Sequence, residues 1–557
     1  MLQIFINWIY IFLTTASLGY GFSYIIHKKL HYKIKRISNI AAVGLVMATV
    51  YAQIFSIFYK VGILANGVML LICTGIAIVL RKQLWIELKQ YGERIKSGKG
   101  ILVIALIVLW SYFTSRGIIH YDTDLYHAQS IRWIEEYGVV PGLGNLHVRF
   151  AYNSSVFALS ALYSMKFLFG QSLHTISGFF ALLLSISALD IMESWKEKRF
   201  RISDFARIAA IYYLTLICDE VVSPASDYAI MCTIFYLVIQ WLALLETPKE
   251  EREQSTPYAL LCIGGVFAVS LKLTAGLILI LVIKPAYILL KGKRWKEIIL
   301  YISMGIAVIA PWLVRTVIIS GYLLYPFPAL DFFSVDWKIS AEAAALDSAE
   351  IKTWGRAIYN AAQVDMPIQK WFPNWFLTTL SGTEKLLILA DIGAVLVLVI
   401  LAAWIFGKKK WERLDFLLVM AATASSYVFW QISAPLMRYG YSYVLLLLLL
   451  TAGYFVCEFT KSRKKQSLVF YMLVLFIGIV KIVPLGTYAV KVGSQPYYEK
   501  QKDYGNYENV VYEINGKSFY YPLEGDRIGY DAFPSSPTKA DIEFRGENIE
   551  QGFLKRE

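Results

Sequence analysis

Residues 101–136 read ILVIALIVLWSYFTSRGIIHYDTDLYHAQSIRWIEE. No charge interrupts this run before Arg116, whereas Asp122, Asp124, Glu135 and Glu136 follow soon after. An apolar run of this kind reads as a membrane span, and the acids beyond it stand at the face where the span ends. From Asp124 onward, Leu125, Ala128, Ile131 and Ile134 recur at helical spacing, with Asp124, His127, Arg132, Glu135 and Glu136 on other faces. That pattern predicts a helix lying on the membrane surface. Asp122 and Asp124 fall at its start, where helix-end N–H groups favour ionised carboxylates. Such a carboxylate suits a general base, although an N-cap is the simpler role.

The composition agrees with a membrane protein. Of 557 residues, 57% are hydrophobic and 17% charged, and the mean hydropathy is +0.52. These values exclude a soluble globular enzyme, a disordered chain and a secreted disulfide scaffold. The formal charge of +13 would suit nucleic acid, but in membrane proteins Lys and Arg collect on cytoplasmic loops, so their placement decides.

Fourteen apolar stretches are expected to span, near 2–26, 40–58, 61–80, 101–116, 173–194, 206–218, 228–246, 258–271, 275–290, 297–316, 384–406, 414–430, 441–458 and 467–484. Basic clusters follow every second one: His27 to Arg36, Arg81 to Lys99, Lys196 to Arg201, Lys249 to Arg252, Lys291 to Lys296, Lys408 to Lys410 and Lys461 to Lys465. The positive-inside rule makes these turns cytoplasmic. It puts the N-terminus, the stretch from Gly117 to about Ser172, the loop near 317–383 and the C-terminal tail on the outer side. The +13 charge is thus an orientation signal, and no nucleic-acid partner is expected. The first span has neither a basic n-region nor a small-x-small cleavage site and reads as a retained helix.

All five cysteines, Cys73, Cys218, Cys232, Cys262 and Cys457, lie in or beside spans without metal-ligand spacing, so they read as packing residues. The tail, 485–557, is polar and rich in Tyr and acids. Val510 to Ile514 and Lys517 to Tyr521 flank Asn515-Gly516, which predicts a type I′ hairpin. Four regions result: accessory helices 1–99, a core 100–330, an outer loop and further helices 331–484, and the tail 485–557.

A second acidic cluster, Cys218-Asp219-Glu220-Val221-Val222-Ser223-Pro224-Ala225-Ser226-Asp227, fills a short outer loop. Acids there are costly unless they face water or a cavity; for Asp227 an N-cap is again the simpler role. Three cations break the inside rule: Lys272 and Arg315 at outer span ends, and Arg438 in a short outer loop. A lone cation at the membrane edge calls for an anionic partner, or else snorkels to lipid phosphates.

Taken together, these features resemble the GT-C superfamily of integral-membrane glycosyltransferases, which includes the aminoarabinose transferase of lipid A and the protein O-mannosyltransferases. The resemblance rests on Asp122-Thr123-Asp124-Leu125-Tyr126-His127, with Thr where the family has Glu, on Asp227, on Ser270-Leu271-Lys272, and on Lys293-Arg294-Trp295-Lys296-Glu297 followed by Pro311-Trp312. It covers roughly residues 100–330; the first three helices and the tail depart from it. The chain as a whole resembles bacterial envelope membrane proteins. The resemblance implies an all-α polytopic membrane protein of about fourteen transmembrane helices, GT-C-like, with outer-face amphipathic helices and a small β-containing C-terminal tail. It further implies a bacterial inner membrane, a polyprenyl-phosphate-linked sugar as donor, and a glycan, lipid or protein acceptor among membrane lipids.

Such a transfer puts positive character on the anomeric carbon and negative charge on the departing phosphate. A carboxylate serves as general base, with Asp122 the first choice and Asp124 the second. Lys272, Arg315 and Arg438 are candidates for the phosphate, with Tyr126, His127 and Asp227 completing the expected substrate site. Displacement with one base inverts the anomeric centre. Tyr126, Trp133, Trp371 and Trp375 offer faces for a sugar, interfacial anchoring being the simpler role. No carboxylate cluster has spacing that demands a metal, and a divalent cation stays open as cofactor. The rivals are a polysaccharide polymerase or ligase, which shares the donor and the outer arginines, and a flippase or transporter. A transporter calls for broken half-spans and ionisable groups at the midplane, whereas these acids lie in loops at one face.

Overall fold

Lipid offers no partner for backbone N–H and C=O groups, so an apolar stretch of this length closes its hydrogen bonds within itself as a helix. The computed structural model describes residues 1–95, 97–410, 413–460 and 462–556; Lys461 lies outside them. All fourteen expected spans are helical. Ten of the described helices are long and apolar enough to cross a membrane, from Leu2–Leu30 to Lys464–Gly493. The remaining four do not reach that length as single straight helices, and counting the one bent pair as a span gives up to eleven. Ile63–Val79 meets Arg81–Glu87 at an 84° bend, and Gly98–Thr114 and Ser255–Leu271 have 17 residues each. Ile202–Ile217 has 16 residues, about 24 Å at 1.5 Å per residue against roughly 30 Å of hydrocarbon. Its first two turns also hold the buried pair Asp204 and Arg207, 2.7 Å apart, which hydropathy counts against a span.

The polar stretch expected outside contains another surprise. Ser155–Tyr163 is a helix buried at every residue, so this part of the loop dips into the bundle core. The first two helices cross closely because Gly44 has no side chain: a Cβ there would stand 1.6 Å from the Thr15 carbonyl oxygen. Small residues at such crossings let helix backbones approach in membranes.

Ion pairs and backbone bonds sort the helix ends into two faces. Arg36 and Lys99 both pair with Asp190, and Lys35 pairs with Glu251 at 3.3 Å, so the basic turns gather at one end. At the other end, the Leu2 and Gln3 N–H groups donate to Tyr498 O and Glu499 O at 2.9 and 3.1 Å. The start of the first helix and the tail therefore share one face, called the capped face below.

The tail forms two antiparallel pairs, β1 (Asn509–Ile514) with β2 (Lys517–Pro522), and β3 (Ile542–Phe544) with β4 (Phe553–Lys555). Asn515 and Gly516 both have positive φ, 47° and 74°, as the expected type I′ turn requires. The tail builds no free-standing core. Tyr512, Ile514, Phe519 and Phe553 pack with Trp133, Leu143, Phe150 and Tyr322 in one cluster, beside the larger bundle core.

Candidate active site

The local chain at 121–136 differs from the expected simple surface helix. Helix runs from Tyr121, widens into a π turn over Thr123–His127, and continues as Ala128–Glu136. Neither Asp122 nor Asp124 caps it through its side chain: Asp122 makes no capping bond, and Asp124 lies within the π turn. A π turn admits one extra residue per turn and so re-aims the side chains around it, a device frequent at functional sites. The helix beyond is also not open to water on its polar side. Gln129 Nε2 donates to the Gly529, Tyr530 and Ala532 carbonyls at 3.2, 3.3 and 2.8 Å, and Arg132 Nη1 to Tyr530 O and Asp531 O at 2.5 and 2.6 Å. It is therefore sandwiched between bundle and tail.

The two acids part company. Asp124 is 4% exposed and faces the tail: its Oδ1 accepts from Gly505 N at 3.0 Å, its Oδ2 from the Tyr507 hydroxyl at 2.8 Å, and its carbonyl from the Ile528 and Gly529 N–H groups, both at 2.8 Å. Both carboxylate oxygens are thus committed to holding the tail. Asp122 turns the other way, toward the bundle. Arg438 Nη2 donates to its Oδ2 at 2.5 Å, and Arg438 Nε lies 3.5 Å from Asp227 Oδ2. Lys272 Nζ donates to the other oxygen of Asp227 and stands 3.3 Å from the centre of the Tyr439 ring. Arg438 Nη1 donates to His120 Nε2, and the Asp122 backbone N–H donates at 3.1 Å to His120 Nδ1, which stands 3.8 Å from Asp122 Oδ2. Four distant segments, at 120–122, 227, 272 and 438–439, are brought together in this cluster.

The cluster is walled but reachable: the Asp122 side chain is 20% exposed and that of Arg438 30%. Burial works to raise the Asp122 pKa, but nearby positive groups, Arg438 foremost, outweigh it and hold the carboxyl below the usual carboxylate range. Burial, then Arg438, lowers the His120 imidazole, which is neutral at pH 7. The arrangement thus offers a carboxylate, a neutral imidazole and two cations at one accessible spot, with Lys272 and Arg438 balanced by Asp122 and Asp227.

Of the other expected residues, Tyr126 and His127 lie beside the cluster, near enough to feel the charges of Asp122 and Asp227, but join none of its ion pairs among the described residues. Burial drives His127 down to about 3, so it is a neutral ring packed on Phe157, 5.3 Å between centres, and Tyr126 packs edge-on to it at 4.3 Å. Arg315 is 2% exposed and donates to Asn153 Oδ1 at 3.0 Å and to Ser56; among the described residues no hydrogen bond or ion pair joins it to the cluster. Trp133, Trp371 and Trp375 are buried, which removes them as sugar platforms. Among the described residues no group of three His, Cys, Asp or Glu could hold a metal ion.

Several residues had escaped notice. His120 and Tyr439 stand beside expected residues and carried no signal of their own. Arg149 did carry one, being a basic residue in the stretch expected outside. Its charge acts on both Asp122 and Asp347. Asp347, on the helix Ala341–Gly355, accepts from the Tyr152 hydroxyl at 2.6 Å, and burial pushes it up to about 6.

The chain belongs to a family described as a domain of unknown function (DUF8201), whose model matches residues 1–445. All residues of the cluster fall within the match, and the tail that binds Asp124 lies beyond it. No curated protein and no solved structure matches the chain.

Proposed function

We propose that this protein is a membrane glycosyltransferase that takes its sugar from a polyprenyl-phosphate donor at the outer face of a bacterial inner membrane, in envelope glycan assembly. The observation that carries the reading is the convergence of Asp122, His120, Asp227, Lys272 and Arg438 at one partly open place on the capped face. Asp122, ionised at neutral pH, accepts the proton of the acceptor hydroxyl as that oxygen attacks the anomeric carbon. The bond to the donor phosphate breaks, and Arg438 and Lys272 stabilise the charge left on it. Fixed cations in a water-poor pocket do this without reorganising. Asp227 holds both cations in place. One base and direct attack invert the anomeric centre.

The test is mass spectrometry of envelope glycans and lipid-linked intermediates from cells carrying wild-type protein or Asp122→Asn. The variant is expected to insert normally and to leave glycan units one sugar short. Wild-type glycans from that variant would overturn the reading. Accumulation of single repeat units would instead identify a polymerase or ligase.

A further inference from the structure

Arg315 poses a problem of charge. It lies in the helix Trp295–Ser320 and is 2% exposed, and among the described residues no carboxylate pairs with it. Its neighbours are neutral. Asn153 gives its Oδ1 to Arg315 Nε, while its amide donates to Trp312 O at 2.9 Å and Thr316 Oγ1 at 3.0 Å. A guanidinium does not deprotonate to escape burial, and a buried charge is held by a partner of opposite sign. The structure shows room for one. A small cavity of about 20 Å³ is lined by Arg315, Asn153, Tyr152, Ser130 and Trp133 together with apolar side chains. A single water-sized particle needs about 10–15 Å³ of such space. Trp133 is fully buried, and its indole N–H has no partner among the described residues.

We propose that this cavity binds one small monatomic anion, of the size and charge of chloride, with Arg315 as its counter-ion. The walls bring a cation and a free N–H and no acid, which suits an anion. Their apolar remainder strengthens the attraction by lowering the local dielectric. The volume excludes phosphate esters and carboxylates carrying a chain, so the site is separate from the Asp122 cluster and independent of the function proposed above. A bound ion would fasten three elements to one point: the helix Ala128–Glu136, the turn at 152–153 and the helix Trp295–Ser320.

The test follows thermal unfolding of the full-length protein in detergent, with sodium chloride compared with sodium gluconate at matched ionic strength. A ligand that binds only the folded state raises its stability in a saturable, concentration-dependent way. Chloride is expected to raise Tm and gluconate not to. In Arg315→Gln the chloride response is expected to vanish. Should that variant fail to fold, Trp133→Phe, which keeps an aromatic ring at the position and loses the N–H, is expected to raise the half-saturating chloride concentration several-fold. Equal responses to chloride and gluconate would mean that water fills the cavity and would overturn the proposal, as would an unchanged chloride response in the variants that fold.

Discussion

The separation of Asp122 from Asp124 can be tested by removing the contacts that Asp124 makes. In Asp124→Ala the Gly505 N–H and the Tyr507 hydroxyl lose their acceptor, while the bonds from Ile528 and Gly529 to the backbone carbonyl stay. Hydrogen bonds to a charged group contribute about 1.5–3 kcal/mol each, so two of them hold the tail by about 3–6 kcal/mol. At 1.4 kcal/mol per tenfold, even the lower figure raises the undocked fraction of the tail by about two orders of magnitude. Asp124→Asn costs less, on the order of 1 kcal/mol, because the amide keeps one acceptor and its NH₂ can donate to the Tyr507 oxygen. Gly505→Ala approaches the same contact from the tail: its Cβ would stand 2.4 Å from Asp124 Oδ2 and 2.6 Å from the Tyr507 oxygen, displacing both. Limited proteolysis within 494–557 and hydrogen exchange at 505–529 read the docking directly. Both Asp124→Ala and Gly505→Ala are expected to expose the tail. If Asp124→Ala abolishes glycan transfer with the tail as protected as in wild type, Asp124 acts in the chemistry and its assignment as a tail anchor is wrong.

Further outcomes follow from the same geometry. Arg438→Lys keeps the charge but not the fork that reaches Asp122, Asp227 and His120 together; glycan transfer in membranes is expected to fall by about 10²-fold, and wild-type rates would remove Arg438 from the site. Asp347, raised from 3.8 to about 6, takes up protons in the folded state across that window, so stability falls as pH rises through it. The full effect is on the order of 3 kcal/mol at 1.36 kcal/mol per pH unit. Unfolding midpoints measured between pH 4 and 7 should slope less in Asp347→Asn, and an unchanged slope would place the titration elsewhere.

How far the sequence could reach depends on what kind of signal each feature left. Helices were legible where a long apolar run lacked charge, although the short uncharged helix Ser155–Tyr163 was not, and the hairpin was legible because Asn515-Gly516 accepts two positive φ angles. Asp122, Asp227, Lys272 and Arg438 stood out by being charged at the face from which the chain otherwise withholds charge. Arg315 gave the same signal and yet lies apart, because periodicity does not say which way a residue at a helix end turns. The roles of Asp122 and Asp124 could not be separated at all. Two residues apart on a helix, they diverge by about 200°, and only the docked tail tells which direction is occupied. The tail is remote in sequence and bonds to Asp124 largely through backbone groups, Gly505 N–H among them, which leave no mark in residue type. The shortfall of Ile202–Ile217 as a span was likewise hidden, since an apolar run does not state where its helix ends, and this one stops after 16 residues.

The charge balance of the cluster has a consequence for catalysis on the proposed reading. Arg438 is already engaged by Asp122 and Asp227, so a donor phosphate gains it only by competing with Asp122 for it. As the phosphate takes up that guanidinium, Asp122 loses the contact that chiefly depresses its pKa and gains an anionic neighbour, and both changes raise it. The base therefore becomes a better proton acceptor when the donor is loaded and is held as a weaker one when the site is empty. The acid limb of kcat/KM reports the free enzyme and that of kcat the loaded complex. With donor varied, the limb in kcat is expected at the higher pH. In Arg438→Gln the two limbs should draw together, since the ion pair that separates them is gone. Coincident limbs in the wild type would show that the donor phosphate does not engage Arg438, and the assignment of that residue to the leaving group would fall with them.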